Sequence, residues 1–162
     1  MSEFEMQLYT LCINPEEIKK YQVLCLPENF ENAKTIDELE HTSDSDELYK
    51  LLKNEGIKCA NSRDLGCDLG IDKRYKVRKS LDLYPGALLI LAPVVIDKII
   101  DVVTYMVRKR KEEAFEPNLQ INIKNCNIIF LEGGNLKVEN FEGDLEDFKR
   151  DLTAVGRRMD KI

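Results

Sequence analysis

An α+β fold is predicted by three features of the chain. Short apolar runs rich in strand formers recur, other segments place apolar residues at helical spacing, and Pro, Gly and Asn separate the two kinds. The expected architecture is a long apolar helix packed on a small antiparallel meander, with an N-terminal α/β portion attached. Residues 1–82 form that portion, with an acidic loop at 28–45. Residues 83–162 carry the helix, a three-strand meander and a C-terminal helix, and the two parts can form one domain. With 162 residues, 43% of them apolar, the chain has the material for a packed core.

The first element is read from Met6 to Ile13, where alternating polar and apolar residues predict a strand stopped by Pro15. A second strand, Tyr21 to Leu26, ends before Pro27 and is expected to pair with it. Glu28 to Ser43 is acidic and aperiodic, and reads as a loop or linker. Ser45 is the predicted N-cap of a helix whose stripe is Leu48, Leu51 and Leu52, and Gly56 closes it. Ile57 to Ala60 is a short strand candidate. Asp64, Asp68 and Asp72 follow at four-residue spacing, but without the alternating oxygen ligands and closing Glu of a calcium loop, so they read as turn chemistry and no metal is assigned.

Pro85 to Val107 is the most distinctive stretch. Its uninterrupted apolar part covers only Ala87 to Ile96, well short of the roughly 20 residues that span a bilayer. Beyond Pro93, the polar residues Asp97, Asp101, Thr104 and Arg108 fall on one helical face, which predicts a helix with a narrow wet stripe. Such a helix serves as a core element, or packs on a partner protein. Period two then returns at Leu119, Ile121 and Ile123, again at Ile128 to Leu131, and again at Leu136 to Phe141. With Asn125 and Gly133-Gly134 as turns, this predicts the meander. Gly143-Asp144 caps a last helix with the stripe Leu145, Phe148, Leu152 and Val155, ending at Gly156.

Charge is distributed unevenly. Residues 1–47 hold 3 basic and 12 acidic side chains, residues 48–115 hold 14 and 9, and residues 116–162 hold 7 and 9. The basic middle can attract the acidic first segment or an acidic partner. Two clusters stand out as binding candidates: Lys73, Arg74, Tyr75, Lys76, Arg78 and Lys79, and Arg108, Lys109 and Arg110. The first also reads as a solvated edge strand, and the second as cations that favour a helix C-terminus.

Nothing in the sequence specifies catalysis. No phosphate-loop, dinucleotide, nucleophile-elbow or zincin motif occurs. The only histidine, His41, lies in a polar acidic stretch that reads as solvated linker, without the enclosure an activated imidazole needs. The five cysteines, Cys12, Cys25, Cys59, Cys67 and Cys126, are scattered without metal spacing and are expected to be reduced, which suits the cytoplasm. No secretory signal pattern opens the chain. No cofactor is expected.

The order of elements from Pro85 onward is an apolar helix, a short basic run, strands, and a capped helix of the form Val138-x-x-x-x-Gly143-Asp144-Leu145-x-x-Phe148. Over about residues 86–155 this resembles small accessory components encoded beside effectors in bacterial conflict and anti-phage defence systems. The resemblance implies an interaction or regulatory part, with the enzymatic or toxic activity in a neighbouring protein. The expected function is therefore a non-catalytic adaptor or regulator that binds another protein or itself. Two alternatives stand beside it: a membrane-active effector using residues 85–107, and a nucleic-acid or nucleotide binder using residues 73–79.

Overall fold

A computed structural model describes residues 3–66, 75–76, 81–130 and 136–160. The fold is α+β. Helix α1 (Glu3–Thr10) and the short α2 (Pro15–Ile18) precede strand β1 (Val23–Leu26). Strand β2 (His41–Thr42), helix α3 (Ser43–Asn54), and strands β3 (Cys59–Asn61) and β4 (Tyr75–Lys76) follow. Strand β5 (Ala87–Ile90), helix α4 (Ile96–Glu113), strands β6 (Ile123–Phe130) and β7 (Leu136–Gly143), and helix α5 (Leu145–Asp160) complete the order.

Five strands form one mixed sheet in the order β3-β1-β5-β6-β7, while β2 and β4 pair separately. Strand β1 runs parallel to β3 and antiparallel to β5; β5 runs parallel to β6, and β6 antiparallel to β7. Strands from both sides of residue 83 thus share the sheet. Its two faces are read directly from strand alternation. Val23, Cys25, Leu88, Ile90, Ile128 and Phe130 face a core shared with α3, α4 and α5. Leu24, Leu26, Ala87, Leu89 and Ile129 face a second core built from α1, α2 and the loop after β1.

Several expectations are corrected by this architecture. Met6 to Ile13 is not a strand: Phe4, Leu8 and Leu11 fall at helical spacing on the second core, and the apparent alternation came from residues on the solvent side of α1. The acidic loop at 28–45 is no solvated linker. Phe30, Ala33 and Leu39 are buried, and Gln7 Nε2 donates to the Phe30 and Ala33 carbonyl oxygens at 2.6 and 2.7 Å.

The apolar segment Pro85 to Val107 is not one helix. Ala87–Ile90 is the central strand of the sheet, Pro93–Val95 is a 3-10 turn, and α4 begins at Ile96. Burying Leu88, Leu89 and Ile90 on both faces of a sheet contributes about 1.5–3 kcal/mol each, more than the tenths of a kcal/mol by which helix propensity favours such residues. Tertiary burial decides, and Pro93 takes the first position of the turn. Within α4 the wet stripe holds: Asp97, Asp101 and Arg108 are exposed and Thr104 half-buried. No helix among the described residues is long and apolar enough to cross a membrane.

The three-strand meander is instead one hairpin, β6 and β7, inside the mixed sheet. Asn125 does not end a strand. It sits at φ +53° within β6, where the register to β7 shifts twice between Ile123 and Ile128. The bulge changes the phase of alternation, so that Ile123, Cys126, Ile128 and Phe130 all reach one core. Asn127 secures it by accepting a hydrogen bond from the Asn140 backbone N–H at 2.5 Å. Gly133-Gly134 lies outside the described residues.

Helix α5 carries the expected stripe, with Phe148, Leu152 and Val155 buried and Asp144 accepting from the Asp147 N–H at 2.9 Å as N-cap. It does not end at Gly156. That glycine lies in the helix interior against α4, where an added Cβ would stand 2.9 Å from Ile96 Cδ1. Close helix contact, and not termination, is what the small residue serves there.

Candidate functional site

Because β1 and β3 are parallel and joined through α3, their C-terminal ends and the N-terminus of α3 meet at one end of the sheet, the place where ligands bind in open α/β arrangements. The start of α3 is fixed three residues earlier than the sequence predicts. Thr42, in extended conformation, accepts from the Ser45 N–H at 3.1 Å and donates to the Tyr84 carbonyl oxygen at 2.6 Å. Thr42, and not Ser45, is the N-cap. Asp44 accepts from the Tyr84 N–H at 2.8 Å and is held by Arg110.

A small open crevice lies at this end. Strand β1 contributes Cys25, β2 contributes His41 and Thr42, α3 contributes Ser45 and Asp46, and the end of β3 contributes Asn61, Ser62 and Arg63. The turn carrying the last three is braced: Asp64 N–H donates to Asn61 Oδ1 at 3.0 Å, Asp64 Oδ2 accepts from the Asn61 N–H at 3.3 Å, and the Tyr49 hydroxyl donates to the same oxygen at 2.5 Å. Asp46 pairs with Lys50 at 2.9 Å. Ser62 is 0% exposed and its hydroxyl has no hydrogen-bond partner among the described residues, a condition that costs about 1–3 kcal/mol in a folded protein.

Electrostatics make this a site of donors more than of nucleophiles. Burial first, then the Arg63 guanidinium, hold His41 below its ordinary value of 6.5, against an opposing pull from Asp46. The imidazole is mostly neutral at physiological pH. Burial pushes the Cys25 thiol well up, with smaller contributions from Cys59 and Cys126, so it stands in the crevice as a protonated, unactivated group. Cys59 and Cys126 are pushed up to about 11 and about 12 by burial in the same core. Tyr49 is raised by burial and by its bond to Asp64.

The sequence-predicted binding residues fall in two places. Lys73, Arg74, Arg78 and Lys79 lie outside the described residues. Tyr75 and Lys76 form β4, whose backbone pairs in parallel with β2, Tyr75 opposite His41 and Lys76 opposite Thr42. Of the basic run, the Tyr75–Lys76 backbone therefore lies beside β2, which lines the crevice. In the second cluster Arg108 is exposed on α4, whereas Lys109 pairs with Glu47 at 3.5 Å. Arg110 reaches inward to Asp44, to the Asp82 carbonyl oxygen and, at 3.2 Å, to that of Leu81. It ties the end of α4 to the start of α3. Of the carboxylates at four-residue spacing, Asp64 braces its own turn, and Asp68 and Asp72 lie outside the described residues.

Sequence reasoning passed over His41, Asn61, Ser62 and Arg63. The signal that marks them is the series of Val23–Leu26, α3 and Cys59–Asn61: a strand, helix and strand of this kind places the residues just after each strand at a shared rim. Compared with protein-family models, curated proteins and solved structures, the chain has no significant match.

Proposed function

We propose that this chain is a non-catalytic adaptor or regulatory module that binds another protein in the cytoplasm, in the manner of the accessory components of bacterial defence systems that its C-terminal half resembles. One observation carries the reading: Phe115. Helix α4 ends with the Phe115 N–H donating to the Glu112 carbonyl oxygen and the Glu116 N–H to that of Lys111, both at 3.1 Å, the Schellman pattern that glycine normally completes. Here the left-handed position, φ +55°, is held by a phenylalanine that is 92% exposed. Left-handed backbone costs a non-glycine residue about 1–2 kcal/mol, and an aromatic ring in water gains nothing by folding.

A residue that opposes folding twice is explained by a contact made with something else. Tyr105 and Arg108 are exposed on the outer stripe of α4 leading to Phe115, and aromatic residues with Arg are the types that anchor protein interfaces.

The test uses size-exclusion chromatography with light scattering on the full chain, alone and mixed with the products of adjoining genes. A shared peak is expected with the wild-type chain and lost with Phe115→Gly, although that variant folds more stably. Equal complex formation by both, or none by either, overturns the reading.

A further inference from the structure

Independently of the α4 surface, the crevice at the ends of β1 and β3 has a composition that folding does not account for. Ser62 is wholly buried on its wall, and its hydroxyl has no hydrogen-bond partner among the described residues. A bound ligand is one partner that satisfies a buried polar group in that state. Around it stand the Arg63 guanidinium on the rim, and Asn61, whose Oδ1 is already taken by the Asp64 N–H so that its amide nitrogen is the end left to donate.

The N-terminus of the twelve-residue helix α3 faces the same space with its positive dipole end. The two carboxylates of that first turn are both committed to cations, Asp44 to Arg110 and Asp46 to Lys50. Strand β4 brings the backbone of Lys76 against β2 on the adjoining wall. Donors and positive charge from the end of β3 and the start of α3 suit a tetrahedral oxyanion, which offers acceptor oxygens in several directions at once.

We propose that this crevice binds the phosphate group of a small molecule, with Arg63 supplying charge and the Ser62 hydroxyl and Asn61 amide supplying hydrogen bonds. The group can be free inorganic phosphate or belong to a nucleotide.

Amide NMR titration of the full chain tests this with inorganic phosphate and with adenosine monophosphate, each against sodium chloride at matched ionic strength. Saturable shifts are expected at Asn61, Ser62 and Arg63. Arg63→Gln, on an exposed residue, and Ser62→Ala are each expected to weaken binding by about tenfold or more. Ser62→Ala is also expected to keep or raise the melting temperature, since it removes a hydroxyl without a partner; that readout separates lost binding from lost folding. Shifts with phosphate alone identify the free ion, and stronger binding of the nucleotide with added shifts at Tyr75 and Lys76 identifies the larger ligand. No saturable shift with either probe, or shifts that survive both substitutions, overturns the proposal.

Discussion

Helices α3 and α4 end in the same hydrogen-bond pattern with opposite residues at its critical position. At the end of α3, the Gly56 N–H donates to Lys53 and the Ile57 N–H to Leu52, with Gly56 at φ +81°. At the end of α4, Phe115 stands where Gly56 stands. The end of α1 makes the pattern a third time with Cys12 at φ +59°, and there Ile13 is buried and packs in the same core as Leu8. In α1 and α3 the residue after the left-handed position is apolar and packs on a core, so the turn is stabilised by the contact that follows. In α4 that next residue is the exposed Glu116. The same backbone turn is thus supported from inside at two helices, while at the third its main product is an aromatic ring held in solvent.

The comparison can be broken or sharpened by substitution at left-handed positions. The largest effect is expected at Gly86, φ +79°, where an added Cβ would stand 2.4 Å from the Leu26 carbonyl oxygen. Gly86→Ala combines backbone strain with a collision against β1 and should lose about 3 kcal/mol in urea unfolding. Gly56→Ala meets open space, so only the strain term acts, and a loss of about 1–2 kcal/mol is expected. Equal losses at the two glycines would show that strain alone, and not close approach, governs both. Phe115→Gly should move the other way, gaining about 1 kcal/mol; a loss would mean that the ring stabilises the fold and would remove the reason to assign it to a partner.

The smallest effect separates backbone strain from charge. His41 has its folded value below 6.5, so the unfolded chain binds the proton more readily. Its stabilising contribution is complete above about pH 6.5 and declines as pH falls through the folded value. Wild-type stability should therefore fall between pH 7 and pH 5 by a component that His41→Asn removes. The difference between wild type and Phe115→Gly should stay constant across that range, because no titrating group enters it.

What the sequence conveyed depended on whether local pattern and tertiary burial agreed. The stripe of α5 and the apolar run of β1 were legible because their apolar spacing matches the surface they bury. Ala87–Ile90 was not, since a strand buried on both faces has no alternation to distinguish it from a helix. Asn125 was legible as a break but not as a bulge: one asparagine favours left-handed backbone in either setting, and only the partner strand decides which. Beside the crevice, Tyr75 and Lys76 were legible as binding candidates, while His41 read as solvated because its neighbours in sequence are acidic. Its neighbours in space, Arg63 above all, come from residues twenty places away.

The middle position of β5 has a consequence for synthesis on the ribosome. Its partners β1 and β6 lie on either side in sequence, and the second is not complete until residue 130 has emerged. At translation rates of about 5–20 residues per second, Ala-Leu-Leu-Ile stays an unpaired apolar edge for roughly 2–8 s. For that interval the nascent chain presents a wholly apolar strand to the cell, the kind of segment on which aggregation and chaperone binding compete.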